Sequence, residues 1–235
     1  MNWGDQFLWV IYPYVVITIF IVGHIYRFNT DQYGWTSKSS ELLEKRILKW
    51  GSILFHWGIV FVFFGHIAGL LIPISFYQSL GVSDELYHII AVGIGGLAGF
   101  ATAIGVFILL FRRLSMRRIR STTSMGDMAA IVLVAIAIVT GMLATTTNAV
   151  GSSEFDYRTT IGPWIRGVFT LQPDASFMAE VPQPFKIHVI SALSLFAVWP
   201  FTRLVHVFSL PITYLWRSYV IYRRRNPRVI TSKQR

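Results

Sequence analysis

Five apolar runs, each long enough to cross a bilayer and each free of charge at its centre, constrain this chain more than any other feature. About 30 Å of hydrocarbon takes roughly 20 helical residues, and the runs fall near 6–27, 49–72, 86–111, 127–147 and 185–207. A charged side chain at the centre of such a helix costs about 2.5–3.5 kcal/mol on insertion scales. Arg27, Lys49, Arg112, Lys186 and Arg203 accordingly stand near the ends of the runs, where long side chains reach the headgroups. The expected fold is an all-α integral membrane bundle of five transmembrane helices. Residues 1–235 read as a single membrane domain, with an irregular segment at 148–184, a basic tail at 208–235 and no internal repeat.

Composition agrees: 54% of the 235 residues are hydrophobic and only 14% charged, where a soluble domain averages about a quarter. The net charge of +10 would suit a nucleic-acid binder were the basic residues not confined to short clusters between apolar runs. Clusters of that kind mark the cytoplasmic side of a membrane protein, so the partner is the lipid bilayer and not nucleic acid. With no cysteine, the chain itself can hold no disulfide, thiolate-ligated or c-type haem, or iron–sulfur cluster. Met1 to Asp5 carry one acid and no base, unlike the basic start of a cleaved signal peptide.

Lysine and arginine counts orient the bundle. Lys38, Lys45 and Arg46 lie in or beside the connection 28–48, and Arg112, Arg113, Arg117, Arg118 and Arg120 lie in 112–125. Arg217, Arg223, Arg224, Arg225, Arg228, Lys233 and Arg235 crowd the tail. The connection 73–85 has no basic residue and ends in Asp84 and Glu85, and 148–184 has only Arg158 and Arg166 against four acids. The amino terminus is therefore expected outside and the carboxyl terminus inside. Within 148–184, the stretch Gly162 to Phe169 reads either as a short amphipathic helix on the membrane surface or as an ordered loop capping the bundle.

All six histidines lie in or at the edge of the runs. A histidine in hydrocarbon marks a cofactor, a proton path or a polar contact between helices. With the second run rising from inside to outside and the fifth descending, His56 and His206 share an inner depth, and His66 and His188 an outer one. Facing imidazoles at matched depth can bind both axial positions of a haem iron, and two such pairs make a path for electrons across the membrane. The glycines Gly58, Gly65 and Gly69 in the second run, and Gly93, Gly95, Gly96 and Gly99 in the third, suit either a flat macrocycle beside Phe55, Trp57 and Phe64 or close helix packing. On straight helices His56 and His66 are about 15 Å apart and His188 and His206 about 27 Å. Equal depths for both pairs therefore need tilted helices, inclined haem planes or a kink at Pro200. His24 at the inner side and His88 at the outer leave three candidates on each side by spacing alone.

The chain resembles the gamma, cytochrome b, subunit of membrane-bound respiratory nitrate reductase over nearly its whole length. Tyr12-Pro13-Tyr14, Leu54-Phe55-His56, Gly65-His66 and Pro200-Phe201-Thr202-Arg203-Leu204-Val205-His206 carry the resemblance, and Phe155 to Thr160 with Pro173-Asp174-Ala175 is similar to versions from Gram-positive bacteria. The resemblance implies two b haems, His56 with His206 binding the inner and His66 with His188 the outer, and it sets His24 and His88 aside as ligands. It implies that quinol, expected to be menaquinol, is oxidised near the outer haem. Electrons would pass inward to an iron–sulfur beta subunit and a molybdenum-containing alpha subunit that reduces nitrate, in the bacterial plasma membrane. The family pattern has a lysine beside the quinol near the start of the third helix, where this chain reads Glu85-Leu86-Tyr87-His88. That makes Tyr87 and His88, with His66, the candidate quinol residues. Arg112 and Arg203 are candidates for pairing with propionates of the inner haem, against headgroup anchoring.

The rival readings are a cytochrome b subunit of another quinone-linked reductase, such as a heterodisulfide-reductase-like one, a histidine-based transporter, and a purely structural anchor. The apolar runs show neither paired interruptions nor a mid-membrane acid, which argues against the transporter.

Overall fold

The computed structural model describes residues 2–36, 39–150, 155–209 and Trp216. Among the described residues five helices have the length and composition to cross a membrane: α1 Trp3–Thr30, α2 Arg46–Leu71, α3 Asp84–Ser115, α4 Met125–Asn148 and α5 Gln183–Phe201. No strand occurs among the described residues. Each apolar run became one helix, and the fifth ends earlier than its hydrophobicity suggests. The lysines and arginines of the expected tail at 208–235 lie outside the described residues.

Proline explains two of the departures from plain helix. Pro13 has no amide hydrogen to donate back to the carbonyl of Trp9, and the turn Phe7–Ile11 before it is a π-helix. The carbonyl of Trp9 accepts instead from the indole nitrogen of Trp164, at 2.8 Å. Trp164 belongs to the helix Ile161–Phe169 and packs edge-on against Trp9. Ile161, Trp164, Val168, Met178 and Val181 join Trp9 in one buried cluster. The segment after α4 is thus a folded cap held on α1, with its helix buried rather than lying free on the membrane surface.

Pro200 acts likewise at the other end. The α-helix gives way to a 3₁₀ turn at Trp199–Phe201, Thr202 is fully extended, and a new 3₁₀ helix runs over Arg203–Ser209. Arg27 of α1 fastens the break, donating from Nη1 to the carbonyls of Pro200 and Thr202 at 2.7 and 2.6 Å and from Nη2 to that of Gly34 at 2.9 Å. Gly23 of α1 leaves room for the ring, since a Cβ there would lie 2.8 Å from Pro200 Cβ.

Lipid tails are as apolar as leucine, so close packing rather than water exclusion holds such helices together. Between α2 and α3 the backbones touch: a Cβ on Gly105 would run into the amide nitrogen of Phe55, and one on Gly58 would lie 2.7 Å from that of Thr102. At the arginine-rich end a polar tie joins the same two helices. The carboxylate of Glu44 accepts from the amides of Ile47 and Leu48 in the first turn of α2, at 2.7 and 3.1 Å, and from Arg112 Nε of α3 at 2.7 Å. Burial opposes the charge on Glu44, but these hydrogen bonds hold its carboxyl below the usual carboxylate range. Gly105→Val would force α2 and α3 apart; overpacking of this kind costs about 1–3 kcal/mol, and the expected outcome is a lower unfolding midpoint of the detergent-solubilised protein.

Candidate functional site

The four histidines that the resemblance singles out come together as two pairs. The rings of His56 and His206 have centres 6.2 Å apart, inclined by 69°; those of His66 and His188 are 6.0 Å apart, inclined by 44°. An imidazole nitrogen sits about 2 Å from a metal it binds and its ring centre about 1.2 Å farther, so imidazoles on opposite sides of one iron have centres about 6.3 Å apart. Both pairs have that spacing.

Each ring is also fixed in orientation by its own helix or a neighbour. Nδ1 of His56 bonds the carbonyl of Ser52 at 2.8 Å, Nδ1 of His66 that of Val62 at 2.7 Å, and Nδ1 of His206 that of Arg203 at 2.7 Å. Nδ1 of His188 bonds the carbonyl of Ala137 on α4 at 3.0 Å, with Thr140 Oγ1 at 3.3 Å. A carbonyl only accepts, so Nδ1 carries the proton in all four, and the neutral ring presents the lone pair of Nε2. Among the described residues no three histidine, cysteine or carboxylate side chains converge on one point. Two imidazoles fall short of the three or four protein ligands of a zinc site, whereas a haem iron brings its own equatorial nitrogens. The donor set fits two haems.

His24 and His88 stand outside the pairs. The ring of His24 lies among Phe20, Trp35 and Phe208, with Nδ1 on the carbonyl of Phe20 at 2.6 Å. His88 is exposed, while its neighbour Tyr87 turns inward and is partly buried. Of the two arginines, Arg112 is buried at the arginine-rich end, where Nε, Nη1 and Nη2 donate to Glu44 and Ser40. Arg203 is more open and approaches Asp127 at 4.0 Å, and its own carbonyl holds His206.

The glycines divide. Gly58 and Gly69 are packing positions, and Gly99 lies against Met142, whereas a Cβ on Gly65, Gly93, Gly95 or Gly96 would meet nothing within 4 Å. Gly141 of α4 escaped the sequence reading, although it admits His188: a Cβ there would lie 2.9 Å from Cε1 of the ring. A lone glycine in the apolar stretch Ile138–Leu143 was the available signal. Also missed were the side chains gathered around Tyr87. Its hydroxyl is 3.5 Å from that of Tyr157, its ring lies 4.9 Å from that of Tyr77, and the Arg158 guanidinium stacks over it at 4.3 Å. Burial and the Tyr87 hydrogen bond push the Tyr157 phenol up, so it stays protonated. Burial works against the charge of Arg158, but Asp156 and Asp84 outweigh it and raise its pKa.

The nitrate reductase gamma subunit family model matches residues 5–225. The chain belongs to the nitrate reductase gamma subunit family. It is 53% identical to the nitrate reductase gamma chain of Bacillus subtilis, over 95% of this chain and all of that one. It is 33% identical to the respiratory nitrate reductase 1 gamma chain of Escherichia coli, over 96% of this chain and all of that one. It is 44% identical to the nitrate reductase-like protein NarX of Mycobacterium tuberculosis over 99% of its own length, which spans 36% of that larger protein. As a gamma subunit it is the membrane anchor of a respiratory nitrate reductase and associates with the other subunits of that complex. If the two pairs hold b-type haems and Gly141 is what admits His188, Gly141→Val should remove one of two b-type bands from the reduced absorption spectrum of this gamma subunit and spare the other. An unaltered spectrum would mean that the His188 ring does not depend on that space.

Proposed function

We propose that this gamma subunit holds two b-type haems, between His56 and His206 and between His66 and His188, and oxidises quinol beside the second pair. The observation that carries the reading is the geometry common to both pairs: centres 6.2 and 6.0 Å apart, and every Nδ1–H tied to a carbonyl. When bound, each haem supplies a one-electron carrier whose potential depends on burial and on hydrogen bonds around its ligands. The chain's own residues supply the rest. The carbonyls of Ser52, Arg203, Val62 and Ala137 fix the tautomers and raise the basicity of the ligating nitrogens.

Sidedness follows from the basic connections 28–48 and 112–125, which put the His56–His206 pair inward in the bacterial plasma membrane. Quinol, menaquinol in this reading, gives up two hydroxyl protons to the outside and two electrons inward, becoming quinone. Carrying each electron inward against the membrane potential costs about 2.3 kcal/mol per 100 mV. The fall in redox energy drives it, as nitrate takes two electrons and two protons to give nitrite and water. That reduction belongs to the molybdenum-containing alpha subunit, reached through the iron–sulfur beta subunit on the basic inner face. Arg203, beside His206, is the propionate candidate at the inner haem. Arg112, with all its nitrogens engaged at residues 40–44, holds the α2–α3 end together.

Reduced spectra of His56→Ala, His66→Ala, His188→Ala and His206→Ala, in membranes carrying the complete complex, test the pairing. Either member of a pair should abolish the same b-type band and leave the other. Four unaltered spectra, or a wild type without b-type bands, would sink the haem assignment.

A further inference from the structure

Three separate parts of the chain meet one helical turn beyond His66. A Cβ on Gly69 of α2 would lie 3.2 Å from the hydroxyl of Tyr87 on α3 and 3.2 Å from the hydroxyl of Tyr157 in the cap. The missing side chain lets the two phenol oxygens approach each other there, 3.5 Å apart. Arg158 lies over the Tyr87 ring and is fixed from two sides. Its Nε and Nη2 bond Asp156 at 3.0 and 2.8 Å, and Nη2 also bonds Asp84 at 3.0 Å.

The third nitrogen is different. The Arg158 side chain is 7% exposed, yet Nη1 is buried with no hydrogen-bond partner among the described residues. A buried donor left unmade costs about 1–3 kcal/mol, more when charged, so this cluster calls for an acceptor that the described residues do not supply. Asp156 and Asp84 together outweigh the guanidinium charge, so the site does not select an anion. What it offers is a neutral-oxygen site: an N–H donor, two phenol hydroxyls and aromatic faces from Tyr77 and Tyr87 at the rim of the bundle. A flat apolar ring bearing a hydroxyl or carbonyl oxygen matches it.

We propose that Arg158 Nη1, with the hydroxyls of Tyr87 and Tyr157, binds one ring oxygen of the quinol as it is oxidised to quinone. The inference rests on quinol oxidation at the His66–His188 pair, and it assigns part of the substrate site to the cap between α4 and α5. As the hydroxyl loses its proton and becomes a carbonyl, that oxygen becomes an acceptor only. Donors held in place therefore favour the product side of the step. The two protons go to water outside and the two electrons inward, as above.

The test uses anaerobic membranes containing the complete complex, without nitrate, and menadiol as the probe. Haem reduction by menadiol is followed at varied concentration, and dithionite then gives the total b-type haem. Arg158→Gln should keep the dithionite-reduced spectrum and raise the half-saturating menadiol concentration about tenfold, the effect of losing one charged hydrogen bond. Arg158→Lys, which keeps a cationic donor, should recover part of the loss, and Tyr157→Phe should raise the half-saturating concentration about threefold. An unchanged value in Arg158→Gln would overturn the proposal and leave Nη1 to an ordered water. If Arg158→Gln fails to assemble haem, an unchanged value in Tyr157→Phe overturns it instead. A wild type whose haems respond to dithionite but not to menadiol would defeat quinol oxidation itself, and this inference with it.

Discussion

His188 and His206 are eighteen residues apart, about 27 Å on an unbroken helix, while His56 and His66, ten apart, are separated by about 15 Å. One straight helix cannot offer both of the former to both of the latter. The amide hydrogen that Pro200 lacks resolves the conflict: α5 stops, Thr202 extends, and the chain restarts as a 3₁₀ helix that brings His206 within 6.2 Å of His56. A break in a membrane leaves carbonyls without donors, a costly state in hydrocarbon. Arg27 answers it from α1 with hydrogen bonds to the carbonyls of Pro200 and Thr202. The break, the arginine that caps it and Gly23, which makes room for Pro200, act as one device.

The rest of the bundle is built to hold that geometry still. α2 carries one histidine of each pair, and its contact with α3 through Gly58 and Gly105 leaves the two backbones no room to slide. At the arginine-rich end Glu44 and Arg112 lock the same two helices, and at the opposite end the cap is pinned to α1 by the Trp164–Trp9 hydrogen bond that Pro13 makes available. Rigid placement matters because an axial ligand must keep its nitrogen within a few tenths of an ångström of the metal.

Much of this was legible in the sequence, for physical reasons. Hydrocarbon thickness sets helix length, so all five helices could be counted; depth set His56 and His206 toward one side and His66 and His188 toward the other, and the family resemblance set His24 and His88 aside. The mismatch in spacing left tilted helices, inclined haem planes and a kink at Pro200 open, and α5 breaks at Pro200. What stayed hidden depends on contacts between segments distant in sequence. Nothing local says that Ala137 accepts from His188, that Gly141 must be small, or that Arg158 lies over Tyr87 seventy-one residues away. Arg112 read as a headgroup or propionate contact because it ends a helix; the connection before α2 folds back and surrounds it with Ser40 and Glu44. The cap helix was only half legible, since a short amphipathic pattern suits a membrane surface and a protein surface equally well.

The most direct test of two bis-histidine haem sites is electron paramagnetic resonance of the oxidised, purified complex. With imidazoles on both faces of each iron, the b haems should give two distinct low-spin ferric signals, and single-histidine variants should lose them pairwise. A high-spin ferric signal from either b haem in the wild type would mean an iron with an open axial position, and would contradict the pairing of these four histidines.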